Sequence, residues 1–129
     1  MPLVHIDMIE GRTDDQIKTI TDVIQDCIVE TFEVPQSDRY QIVTEHKPGR
    51  MVLLDTGLGF ERTENAVVIH IFTSPRATRS KTDFYDLVTK KLGSECGIAP
   101  TDILIAVMTN TDADWSFGNG EAQYLTGTL

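Results

Sequence analysis

A repeat with a fixed offset constrains this chain more than anything else in it. Pro2 and Ala66 each open an apolar run, Arg12 and Arg76 each follow that run, and Asp38 and Asp102 each precede a second one, always 64 positions apart. An offset held through strand, connection and strand is the mark of an internal duplication. The segments 37–43 (SDRYQIV) and 101–107 (TDILIAV) show the likeness best, although few residues are identical. The chain therefore reads as a β-α-β unit written twice, an α/β (α+β) class of fold. Its 129 residues suit one domain over 1–129, with repeat one at about 2–45, repeat two at about 66–109 and a C-terminal tail at 110–129.

Local patterns fill in the elements. Residues 2–9 read as a strand ended by Gly11, and Thr13 with Gln16 forms a capping box for a helix. Ile17, Ile20, Val23, Ile24, Cys27 and Ile28 then recur at helical spacing until Val34-Pro35 stops them. Residues 39–45 read as a second strand, and the Gly-rich, charged stretch 46–65 as a loop carrying a short hairpin around 51–54. Residues 66–73 form the clearest strand. Ser80 or Thr82 is the expected cap of a second helix with Phe84, Leu87, Val88 and Leu92 on one face, ended by Gly93 or Gly97. Residues 103–107 complete the set.

Two right-handed β-α-β units joined edge to edge give a four-stranded sheet with both helices on one face. Val67, Val68, Ile69, Ile71 and Phe72, with the run 103–107, are apolar at successive positions, so both faces of these strands call for burial. Association of subunits is the expected source of the missing layer.

Charge narrows the function classes. Eleven basic and twenty acidic residues leave a net charge of −9, a field that repels nucleic acid and anionic membrane surfaces. An anionic substrate is compatible with that field only where arginines reverse it locally. The start of the chain lacks the pattern of a secretory signal, and no run reaches membrane-spanning length, so the expected location is cytoplasmic. Cys27 and Cys96 fall at apolar helical positions and read as buried thiols; His5 and His70 are single mid-strand residues, and His46 lies in a loop. None of these has the spacing of a metal site, and Gly57-x-Gly59 lacks the third glycine and the setting of a dinucleotide fingerprint. No metal and no cofactor is expected.

Pro2 carries the most distinctive chemistry. A small residue at position 2 allows the initiator methionine to be trimmed, which would leave a secondary amine at the head of a strand. A terminal amine ordinarily titrates near about 8, and burial lowers while carboxylates raise that value, so the group can serve as base, acid or iminium-forming nucleophile. With Met1 in place the nitrogen is an amide, and Pro2 is simply the first residue of an edge strand. Asp38 reads equally as a turn residue, as Asp102 does in the second copy, or as a carboxylate serving that amine. Arg76 follows a strand, where α/β folds place ligand-binding groups. Trp115 and Phe117 alternate on a possible strand and suit either a site wall or a subunit interface.

Several segments carry a family likeness: Pro2-Leu3, 9–13 (IEGRT), Asp38-Arg39-Tyr40, 46–49 (HKPG), 55–59 (DTGLG), Pro75-Arg76 and 112–118 (DADWSFG). Together they resemble the malonate semialdehyde decarboxylase branch of the tautomerase superfamily, from end to end of the chain. The resemblance implies a homotrimer and a cofactor-free site that decarboxylates malonate semialdehyde, a small 3-oxo acid, to acetaldehyde. By position it implies Pro2 as the catalytic amine, Asp38 as the assisting carboxylate and Arg76 as the second arginine of an Arg-Pro-Arg motif. Trp115, Phe117 and Leu129 match an apolar wall, and Tyr124 stands where the family has phenylalanine. Ser74 replaces the first arginine of the motif, and Arg79, three residues beyond Arg76, reads equally as a substitute cation, if that segment is helical, or as a solvated residue. Hydration or hydrolytic dehalogenation of a 3-haloacrylate, and tautomerisation of a 2-oxo acid, are the enzymatic alternatives. An interaction protein resembling macrophage migration inhibitory factor is the non-enzymatic one.

Overall fold

Strict alternation shapes the first strand. In β1 (Leu3–Ile9), Val4, Ile6 and Met8 are buried while Leu3, His5, Asp7 and Ile9 are only partly so, the two-residue period of a sheet with one well-covered face. The computed structural model describes residues 1–129. After β1 come α1 (Asp14–Phe32), β2 (Tyr40–His46), β3 (Val67–Thr73), α2 (Thr78–Cys96), β4 (Ile103–Thr109) and the short α3 (Gln123–Thr126). No helix is long and apolar enough to cross a membrane.

The duplication is visible element by element. β1 and β3 begin and end 64 residues apart, Leu3 with Val67 and Ile9 with Thr73. The same offset relates the helices, Asp14 to Thr78 and Phe32 to Cys96. The strand order is β2-β1-β3-β4, parallel within each copy and antiparallel at the central β1–β3 junction, where His5 faces His70. An antiparallel junction relates the copies by a local twofold, so equivalent loops lie at opposite ends of the sheet. One end gathers the starts of β1 and β2 with the ends of β3 and β4; the other gathers the reverse set.

One core joins both helices to the sheet. Ile20, Val23, Ile24, Cys27 and Ile28 of α1 meet Val4, Ile6, Met8, Ile69 and Ile71 of the strands and Phe84, Val88 and Leu92 of α2. Burying side chains of this size contributes about 1.5–3 kcal/mol each. The opposite sheet face has no such cover, and Tyr40 and Ile42 stand exposed on it. Its polar groups pair among themselves: His46 and His70 both reach Asp7, at 2.6 and 3.0 Å, and His5 lies 2.8 Å from Thr44.

The capping box of α1 forms as read, Thr13 and Gln16 each accepting from the other's backbone N–H. Two local expectations need correction, the cap of α2 and the hairpin, whereas the end of α2 falls at one of the two glycines expected. α2 starts at Thr78 behind Ala77 with no side-chain cap, so Ser80 and Thr82 lie inside the helix, where the Thr82 hydroxyl donates back to the Arg79 carbonyl. Gly97 ends α2 at φ 68°, a left-handed conformation suited to glycine, and Gly93 lies within the helix. No hairpin forms at 51–54, because no neighbouring strand lies there to pair with Val52 and Leu54, which stay in solvent. The loop is set instead by Asp55, which accepts from the backbone N–H groups of Gly57 and Gly59, and by Arg62, which donates to the carbonyls of Leu54 and Thr101.

Candidate active site

Four segments meet at the end of the sheet where β1 begins. Pro2 is buried ahead of β1, and Asp38 lies two residues before β2. Ser74 and Arg76 follow β3, and the 110–129 tail crosses beside them after β4. The strand directions alone bring Pro2, Asp38 and Arg76 together although they are far apart in sequence.

Arg76 is anchored from two sides. Its Nε donates to the Thr73 hydroxyl at 3.1 Å and its Nη1 to the Phe32 carbonyl at 3.2 Å, with the guanidinium 5.4 Å from the centre of the Phe32 ring. The Phe32 carbonyl belongs to the last turn of α1, where partial negative charge favours a cation. One N–H on Nη1 and both on Nη2 are left over, enough for an end-on fork to a carboxylate.

Asp38 is 8 % exposed, and its Oδ1 is enclosed with no hydrogen-bond partner. Burial pushes its carboxyl above the usual carboxylate range, opposed by the terminal amine and by Arg76. A buried oxygen without a partner costs about 1–3 kcal/mol, so an amine or ligand that satisfied it would be favoured there.

The terminal amine is the third charged group of the set. It is carried by Met1 in this chain, so the Pro2 nitrogen is an amide, and the Met1 amine donates to the Tyr124 hydroxyl at 3.1 Å. Burial first and Arg76 second lower this amine from its ordinary value, and Asp38 raises it. Tyr124 also contacts Ser74; burial and then Asp38 push its phenol up, with Ser74 and Arg76 opposing.

Aromatic rings wall the group. Trp115 stacks on Phe117 at 5.3 Å and 12°, Phe117 meets Tyr124 edge-on at 5.5 Å, and Tyr40 lies 5.8 Å from Phe117. Trp115 and Phe117 share a face as alternating residues do, but in an irregular segment rather than a strand. The tail is pinned by Trp115 Nε1 donating to Asn110 at 2.7 Å and by the Phe117 N–H donating to Gln123 at 2.9 Å. A cleft of about 430 Å³ opens between Leu3, Tyr40, Phe72, Asn110, Trp115 and Phe117.

Two residues named from the sequence are not brought to this group. Arg79 lies in the first turn of α2 and pairs in solvent with Asp83 at 3.0 Å; Arg76 precedes the helix, so helical spacing does not carry Arg79 back beside it. Leu129 is exposed at the end of the tail; like Pro2, Asp38, Ser74, Arg76 and Tyr124, it does not line the cleft. Sequence reasoning missed Thr73 and Phe32, which hold Arg76, and Tyr40 and Asn110, which build the cleft. Thr73 alone left a trace, a polar residue ending an otherwise apolar run. No group of three or more His, Cys, Asp or Glu residues is arranged to hold a metal ion.

The comparisons agree with this fold. Two sequence families, both described as tautomerase enzymes, match residues 38–118 and residues 2–61. The "Probable tautomerase YrdN" of Bacillus subtilis (strain 168) is 51 % identical over 129 residues, covering 100 % of both chains. Among solved structures, malonate semialdehyde decarboxylase, studied as wild type, as a proline-to-alanine mutant and inactivated, superposes with a TM-score of 0.94 at 47 % identity, over 98 % of each chain. FG41 malonate semialdehyde decarboxylase inhibited by 3-bromopropiolate superposes with a TM-score of 0.92 at 40 % identity, over 98 % of this chain and 97 % of that one.

Proposed function

This chain belongs to the tautomerase family, and from that premise we propose that it decarboxylates malonate semialdehyde or a close 3-oxo acid, without a cofactor, through the amine of Pro2 once Met1 is removed. The observation that carries the reading is the buried, unpartnered Oδ1 of Asp38 beside a terminal amine and the anchored Arg76. Two solved structures named as malonate semialdehyde decarboxylases, at 47 % and 40 % identity, support the choice of substrate.

The chemistry follows from charge. Arg76 grips the substrate carboxylate with its remaining N–H groups and so fixes which bond is aligned to break. The bond from the carboxylate carbon to C2 breaks, carbon dioxide leaves, and the electron pair forms a C2–C3 double bond as charge moves onto the carbonyl oxygen. A protonated Pro2 donates to that oxygen and stabilises the charge. One proton, ultimately from water, then reaches C2 and gives the aldehyde. Asp38 in its ionised form keeps Pro2 cationic. Trp115 and Phe117 exclude water from the carboxylate side.

The uncovered sheet face supports a second part of the reading, that copies of the chain associate as a homotrimer and cover Tyr40 and Ile42. Sedimentation that finds a stable monomer at micromolar concentration would remove that part. The relative at 47 % identity is described by decarboxylase and hydratase activities together, which favours hydration as the alternative reaction of the same site. The deciding experiment is acetaldehyde release from malonate semialdehyde by the Met1-free protein beside its Pro2→Ala variant. Release that the variant loses supports the reading, and no release from either protein rejects it in favour of the hydratase, dehalogenase and tautomerase substrates.

A further inference from the structure

We propose that the Tyr124 hydroxyl is a hydrogen-bond donor to the reacting carbonyl oxygen, an inference that rests on the decarboxylase reading above. The argument starts from where Met1 lies. Its amine is three bonds from the Pro2 nitrogen and 3.1 Å from the Tyr124 hydroxyl, in the field of Arg76 and Asp38. That amine marks the place a polar atom of a ligand takes in the Met1-free protein, with Pro2 on one side and Tyr124 on the other.

A phenol suits that place. Accepting from an N–H uses a lone pair of the hydroxyl and leaves its own proton to be donated. Burial and Asp38 both favour the neutral phenol, so the proton stays on the oxygen while the site works. The ring is fixed independently of its hydroxyl by edge-on packing against Phe117 at 5.5 Å, a contact that a phenylalanine would make equally well. Packing therefore does not account for the oxygen; its bond to the amine does. A second donor at the oxygen that gathers charge as carbon dioxide leaves acts where preorganised dipoles lower a barrier most.

The test uses the Met1-free, full-length protein. Tyr124→Phe is expected to lower kcat for malonate semialdehyde by about 100-fold, the usual effect of removing one such donor. KM changes little, because the carboxylate is held by Arg76. Wild-type kcat in Tyr124→Phe, with the fold confirmed by circular dichroism, overturns the inference. A second readout needs no turnover: the carbonyl stretch of bound 4-oxopentanoate, a stable oxo acid, should lie lower in wild type than in Tyr124→Phe. An unchanged stretch, or no binding to either protein, also overturns it. A wild type that releases no acetaldehyde but shows the shift would sink the decarboxylase reading while leaving Tyr124 as the carbonyl donor.

Discussion

The two ends of the sheet are built from equivalent residues and do different things. Arg12 stands in the first copy as Arg76 stands in the second, and Asp102 in the second as Asp38 in the first. At the Arg12 end every group is tied to the chain that crosses it: Arg12 Nη2 donates to the Asn65 carbonyl at 2.6 Å, and Asp102 accepts from the N–H and the hydroxyl of Thr63. By the same offset, Met1 stands to Arg76 as Asn65 stands to Arg12. Asp38 Oδ1, in contrast, is left without a partner. Equal positions in a repeat thus yield a strut where side chain and backbone satisfy the carboxylate and an unpartnered buried oxygen where they do not. The larger cavity, about 500 Å³ beside Arg12 and Cys96, lies at the satisfied end and has no equivalent of the terminal amine, since Ala66 is mid-chain.

Paired substitutions should separate the two ends. Arg76→Ala is expected to lower kcat/KM for malonate semialdehyde by about 10²–10³-fold, as loss of one preorganised charge contact does. Arg12→Ala should leave kcat/KM within about twofold, because its guanidinium holds Asn65 rather than a ligand. Equal losses from both would mean that the ends are coupled. Stability should show the reverse order. Asp102→Ala removes a nearly buried carboxylate holding two donors of Thr63 and should cost about 3 kcal/mol in urea unfolding. Asp38→Ala removes an enclosed oxygen that has no partner and should be neutral or slightly stabilising while activity falls. A stability loss in Asp38→Ala as large as in Asp102→Ala would make Asp38 a strut as well.

How much of this the sequence revealed depended on whether a residue acts by its position or by its surroundings. The offset of 64 exposed the copies because strands and helices must keep their lengths to share one core. Thr13 and Gln16 announced their helix because a capping box is local chemistry. Val52 and Leu54 misled because alternation implies a strand only where a partner strand exists, and here none does. Arg76 stood out by its equivalence to Arg12, yet its two anchors were hidden: one is a backbone carbonyl, and the other, Thr73, resembles any strand-ending threonine. The matching aspartates gave no hint of their divergence, which depends on Thr63, a loop residue with no counterpart in the first copy.

The finest separation of the two ends is a shift in pH dependence. The free-enzyme profile of kcat/KM should be a bell, because the proposed reaction needs Asp38 ionised and the Pro2 amine protonated. Burial raises Asp38 and lowers the amine that Met1 carries at this place, so the same surroundings should bring both limbs inside the range that an ordinary carboxylate and an ordinary amine would span. Asp38 opposes the lowering of the amine, so removing its charge must let the amine fall further. In Asp38→Asn the alkaline limb of the remaining activity should move to lower pH, and the acid limb should vanish. Asp102→Asn should move neither limb, since Asp102 serves Thr63 at the far end of the sheet. An alkaline limb that stays in place in Asp38→Asn would mean that Asp38 does not govern the amine, and the contrast between the ends would then rest on the arginines alone.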